Sequence, residues 1–121
     1  METSSSRPSC RFWIIKLGKA LASKQYESAL FCAREAFNVA QTETERAEAM
    51  NFKGDCLIAL QRYEEALQIY NNSLAQFQNN YQREAEPFLK EHIAKAFFKK
   101  METLSKLERQ AEIPSVYDEM V

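Results

Sequence analysis

The chain has 121 residues, a length that fits one domain. Its 16 basic and 17 acidic residues nearly cancel, which excludes the overall basic footprint of a nucleic-acid or anionic-membrane binder. Hydrophobic residues make up 45%, but runs such as "FWII" at Phe12–Ile15 fall far short of the ~20 apolar residues that span a bilayer.

With only 2 glycines and 3 prolines, the chain has too little turn chemistry for an all-β domain and enough for helices. The first nine residues, "METSSSRPS", lack the apolar segment of a secretory leader and read as a disordered tail. Ser9 is placed to cap a first helix with an apolar stripe of Phe12, Trp13, Leu17, Ala20 and Leu21. Ser23–Gln25 is a turn. A second helix follows, with Tyr26, Ala29, Leu30, Ala33, Phe37 and Ala40 on one side. Thr42 and Glu45 have capping-box spacing and start a third helix carrying Ala49, Met50, Phe52, Cys56, Leu57 and Leu60. Gln61–Arg62 is a tight turn before a fourth helix with Tyr63, Ala66, Leu67, Ile69, Tyr70, Leu74 and Phe77.

Gln78–Asn80 suits a helix C-cap or the next N-cap. Phe88, Leu89, Ile93, Ala96, Phe97, Met101, Leu104 and Leu107 then predict one long fifth helix, from about Arg83 to about Arg109. Pro87 is compatible with it only in the first turn. Pro114 marks either the start of a short sixth helix or a kink.

Little in the sequence carries catalytic chemistry. Cys10, Cys32 and Cys56 are an odd number without paired spacing, which argues against disulfides and zinc and suggests a reducing compartment. They read as small apolar helix residues. His92 is the one histidine and reads as a packed or half-exposed helix residue rather than a base. Runs such as "ETERAE" and "YEEA" fit a solvated helix face better than an acid–base pair. Gly18 and Gly54 stand too far apart for a phosphate loop. No enzyme activity, cofactor or metal is expected. Of the fourteen aromatics most belong to a core, and Phe12, Phe52 and Phe98 are the ones to seek at the surface.

The chain repeats itself. A shift of 37 residues maps Ala22 on Ala59, Tyr26 on Tyr63, Glu27 on Glu64, Ala29 on Ala66 and Leu30 on Leu67. Each unit is a helix, a short turn and a second helix, and one such hairpin cannot bury its apolar face alone. The second unit, "AEAMNFKGDCLIALQRYEEALQIYNNSLAQFQNN" at Ala47–Asn80, resembles the tetratricopeptide repeat without a gap over 34 residues. Gly54 stands at that family's small position where the two helices cross. Leu57 stands at its large position, and Tyr63, Ala66, Tyr70 and Ser73 match its second helix. Gln78 replaces the usual proline.

The first unit, Cys10–Glu43, is looser. Trp13, Tyr26, Ala29 and Ala36 match, Ala33 replaces an aromatic, and Gly18 is one residue late. A third unit, 83–121, is degenerate: Tyr117 and Met120 continue the pattern, but Gln110 and Ile113 replace the tyrosine and alanine. The resemblance implies an all-α fold of antiparallel helix-turn-helix repeats stacked as a short right-handed superhelix. It would have five to six helices, the long fifth acting as a cap. Gly54 is expected to let two helix backbones touch.

The same resemblance implies a non-enzymatic interaction or scaffold module, intracellular and cytoplasmic or nuclear. Its first helices would line a concave face for a partner peptide or helix. Helical phase puts Arg11, Ile14, Gly18 and Leu21 on that face, then Glu48, Asn51, Phe52, Asp55 and Ile58, then Lys95, Phe98 and Lys99. One subclass clamps the C-terminal carboxylate of chaperones. Lys95 and Lys99 are similar to its last pair, but Ile14, Gly18 and Phe52 depart from its other positions. Another copy of the chain, or the rest of a larger scaffold of which this is an N-terminal fragment, is a further expected partner. An RNA-binding alternative rests on "SVYDEMV", which is similar to the second helix of pentatricopeptide repeats, and the balanced charge opposes it. No small-molecule substrate or membrane is expected.

Overall fold

A computed structural model describes residues 8–83 and 88–120, and side chains over 8–77 and 88–120. Among the described residues the chain is all helical. Six α-helices pack in sequence: α1 (Cys10–Ala22), α2 (Tyr26–Val39), α3 (Glu43–Ala59), α4 (Tyr63–Arg83), α5 (Leu89–Lys106) and α6 (Ile113–Met120). The expected tail lies outside the described residues up to residue 7.

Local chemistry explains the starts. The Ser9 hydroxyl accepts from Phe12 N–H at 3.2 Å, filling one of the orphan donors of α1. Thr42 Oγ1 accepts from Glu45 N–H at 3.0 Å. The return bond differs from a capping box, since Glu45 Oε1 takes the N–H of Gln41, one residue before the cap, at 2.8 Å.

Three helices end alike. Lys24, Gln61 and Glu108 adopt left-handed backbone with φ of 58°, 60° and 58°. At each, the left-handed residue's N–H bonds back across three residues, Lys24 to Leu21 O, Gln61 to Ile58 O and Glu108 to Ser105 O. The next N–H reaches five back, Gln25 to Ala20 O, Arg62 to Leu57 O and Arg109 to Leu104 O, each at 2.8 Å. This is a Schellman turn without its usual glycine. The second and third turns also share a bidentate pair, Arg62 with Glu65 and Arg109 with Glu112. The hairpin α5–α6 thus closes like the two before it, although its sequence is degenerate. The 3-10 turn Gln110–Glu112 leads into α6, so Pro114 lies in the first turn of a sixth helix and makes no kink.

Two expected boundaries are corrected. Helix α4 continues through Gln78–Asn80 to Arg83, so no cap stands there. The fifth helix starts at Leu89 and ends at Lys106, not at Arg83 and Arg109. The placement of Pro87 lies outside the described residues. Phe88, expected in the stripe, precedes the helix and is exposed.

The odd helices α1, α3 and α5 touch one another in sequence, and α2 and α4 each pack between two of them. The backbones of α2 and α4 lie farther from each other than either lies from α3. Helix α3 therefore has neighbours on most sides, and buries Ala47, Ala49, Asn51, Gly54, Cys56 and Leu57. Among the described residues helix α1 is covered on one side only. It buries Cys10, Ile14, Leu17 and Ala20 while Phe12, assigned to its stripe, lies on the exposed side.

The main core joins Leu17, Leu30, Leu57, Tyr70, Phe97 and Leu104 from five helices. At its centre Gly54 makes room for a side chain, not for a second backbone as expected. A Cβ there would abut Tyr70 Cζ and stand 2.7 Å from its Cε1 and 2.8 Å from its hydroxyl oxygen. Nothing lies within 4 Å of the same point on Gly18.

These contrasts give paired predictions. Gly54→Ala pushes on a rigid, fully buried ring and should cost about 1–3 kcal/mol despite the gain in helix propensity. Gly18→Ala meets no neighbour and should stabilise by up to about 1 kcal/mol. Urea unfolding of both variants checks them, and equal effects would refute the notch at Gly54. Gln61→Gly relieves the left-handed strain and should raise stability by up to about 1 kcal/mol, the relief exceeding the entropy that glycine adds to the unfolded chain. A lowered urea midpoint in that variant would mean the turn is not left-handed at Gln61.

Candidate interaction face

The charged and aromatic residues anticipated on the first helix of each hairpin meet on α1, α3 and α5. Arg11 of α1 lies 3.8 Å from Glu48 of α3. Asp55 of α3 faces two lysines of α5, Lys95 at 3.8 Å and Lys99 at 3.9 Å. The Lys95 ammonium also stands 5.3 Å from the centre of the Phe52 ring, within cation–π reach. Phe98 is 55% exposed.

Other expected members lie inside the fold. Ile14 is buried, and Leu21, Phe52 and Ile58 are half-buried and packed on the core. Asn51 is 1% exposed, and its amide donates to the His92 carbonyl across the α3–α5 contact at 2.9 Å. Its Oδ1 has no hydrogen-bond partner among the described residues. Ile14 and Asn51 therefore join helices and present no side chain to a ligand, which corrects their placement on the surface. Helical phase cannot reveal this, because only the neighbouring helix decides which flank of α3 is covered. Gly18 is exposed and leaves α1 bare at that point.

Asp55 connects surface and core. The Tyr70 hydroxyl, carried on α4, donates to its Oδ1 at 2.6 Å. Burial first, then the Asp55 charge, pushes the Tyr70 phenol well above its ordinary value, so it stays a donor. A hydrogen bond to a carboxylate contributes roughly 1.5–3 kcal/mol. The two lysines are partly exposed and more distant, and each adds little by comparison. Spacing within one helix shows Asp55 as a surface acid, and its bond to Tyr70 across the hairpin carries no local sequence signal.

No group of three or more His, Cys, Asp or Glu among the described residues could hold a metal ion. The three thiols are buried, and burial pushes Cys56 up to about 12, far from a reactive thiolate. No described helix is long and apolar enough to cross a membrane. The sequence clusters that were missed are apolar: Ile15, Phe31, Phe88 and Tyr117 are exposed large side chains. Phe31 touches the edge of Trp13, which in turn meets Phe12, giving an aromatic cluster on α1 and α2.

The chain matches no known family model, no curated protein and no solved structure.

His92 supplies a pH test. Burial lowers its proton affinity, helped by Lys95 and opposed by Glu48 and Glu91. The unfolded chain, with histidine at its ordinary 6.5, takes up more protons below that pH. Stability is therefore full above the unfolded value and falls as pH drops through it. Glu65 and Glu112, lowered by hydrogen bonds to Arg62 and Arg109, act only near and below the ordinary 4.5 of a glutamate. Urea midpoints should be lower at about pH 5.5 than at about pH 7.5, and His92→Gln should remove most of that difference.

Proposed function

We propose that the chain is a non-enzymatic interaction module of tetratricopeptide type. Its three hairpins stack into a short right-handed superhelix, and a partner peptide or helix lies along α1, α3 and α5. The observation that supports this reading best is the convergence of Arg11, Glu48, Asp55, Lys95, Phe98 and Lys99 from three helices on one side of the molecule. The recurring turn at Lys24, Gln61 and Glu108 supports the repeat. A hairpin that stacks on its neighbours exposes the same helix of each pair along one edge, and extended partners dock on such an edge.

The chemistry of that edge is mixed. Acidic and basic groups already neutralise one another, and Phe98 offers an apolar anchor between the lysines. A partner that replaces Asp55 beside Lys95 and Lys99 must supply its own carboxylate and leave Tyr70 bonded to Asp55. This favours a peptide with an acidic group next to an apolar side chain. A role as a scaffold within a larger assembly follows from the same edge, since several partners can share it.

Peptides selected from a random displayed library against the intact chain test the reading. Amide chemical-shift changes caused by a selected peptide should fall on α1, α3 and α5. The change Phe98→Ala with Lys95→Glu should weaken binding at least about tenfold, as expected for loss of an anchor and reversal of a charge. Shifts confined to α2, α4 and α6, or an unaltered affinity in the double variant, would defeat the proposal.

A further inference from the structure

We infer that the outer face of α1 receives helix α6 of a second copy of this chain, so that copies join head to tail. The three matched turns set the correspondence: 37 residues separate Lys24 from Gln61, and 47 separate Gln61 from Glu108. On α3, Ala49 and Cys56 are fully buried in the packing with α2. The corresponding residues of α5 are Ala96 and Thr103, fully buried where α5 packs on α4. On α1 they are Phe12 and Lys19, and both are exposed. Two of the three odd helices thus carry an even helix over this flank, and none lies over α1 among the described residues. A groove of about 660 Å³ lies beside this flank, between α1 and α2, lined by Trp13, Lys16 and Lys19 of α1 and by Glu27, Phe31 and Cys32 of α2 among others.

The other end of the chain supplies a matching helix. By the same correspondence Tyr117 of α6 stands where α2 has Ala33 and α4 has Tyr70. Those two are fully buried, whereas Tyr117 is 50% exposed. Helix α6 rests on α5 through Val116 and leaves this flank open.

Charge selects between the ways two copies could meet. The residues of α1 charged at neutral pH are Arg11, Lys16 and Lys19, all basic, and those of α6 are Asp118 and Glu119, both acidic. Pairing α1 with α1 would oppose like charges, and pairing α6 with α1 would oppose unlike ones. The correspondence also names the contact. Inside the chain, Arg34 of α2 and Lys53 of α3 line one groove. Burial and then the Arg34 charge lower the Lys53 ammonium, so those two groups repel across a real helix contact. Their counterparts are Asp118 and Lys16, which attract. Glu119 already lies 3.6 Å from Lys100 within its own chain, which leaves Asp118 as the acid that reaches outward. Because the two surfaces differ, the contact is heterologous and builds rings or open chains of copies rather than a closed face-to-face pair.

This inference uses a different face from the proposed peptide edge and stands or falls separately. Sedimentation velocity of the full chain over a wide concentration range tests it. The wild type should sediment faster as concentration rises, and added salt should weaken the effect. Lys16→Asp and Asp118→Lys should each weaken self-association at least about tenfold, while their thermal unfolding by circular dichroism stays at the wild-type midpoint, since both positions are exposed. Carrying both changes on one chain, or mixing the two single variants, should restore association. A wild type that stays single at every concentration overturns the inference. So does association that survives Asp118→Lys, which would mean pairing through α1 alone, or a mixture that fails to recover.

Discussion

The fold turns on one side chain placed in one notch. Tyr70 reaches from α4 across the bare backbone of Gly54, and its hydroxyl ends on the carboxylate of the next residue, Asp55. Removing a methyl group from α3 and supplying an acceptor one position later solves two problems together. The ring gains a close-packed bed, and its polar tip is satisfied where burial would otherwise be costly. The ring is fully buried and belongs to the cluster that also holds Phe97 and Met101 of α5. One residue of α4 therefore binds its own hairpin together and joins it to the next.

The placement of α3 follows from this. A helix with neighbours on most sides has no continuous polar face, and α3 keeps a buried amide, Asn51, to tie itself to α5 through the His92 carbonyl. Its small residues, Ala47, Ala49, Gly54 and Cys56, let the surrounding helices approach. Helix α1 has the same place in its hairpin but only one covered side. Its outer flank carries aromatics and lysines where α3 carries alanine and cysteine. Burial, more than propensity, separates the two helices.

Electrostatics is arranged around the same centre. Asp55 is the acceptor for a buried phenol and the counter-charge of two lysines, so it couples the packed interior to the exposed edge of α5. Interactions at the edge are weak because water screens them, whereas the phenol bond is short and part-buried.

Local patterns in the sequence show the helices of the first two hairpins, the turns at Ser23–Gln25 and Gln61–Arg62 and the 37-residue internal correspondence. Ser9 and Thr42 are read as caps because capping is local chemistry within three residues. The correspondence of Tyr26 with Tyr63 is visible because each hairpin repeats one packing problem. Alternation of apolar and polar residues located Leu17, Leu30, Leu57 and Tyr70 in the core, since a helical period reports which side faces inward. How many sides of a helix face inward depends on the neighbours packed against it. Asn51 and Ile14 lie on flanks that periodicity marks as open and that a neighbouring helix covers, and Phe12 lies on a flank marked as apolar that no described helix covers. The end of α4 escaped a local reading because Gln78–Asn80 suits both a cap and a helix. The turn at Glu108 escaped it because left-handed backbone there is held by hydrogen bonds to residues three and five positions back, without a glycine to announce it. The use of Gly54 was set at a distance: a missing side chain states that something comes close, and only the packed neighbour shows that it is the ring of Tyr70.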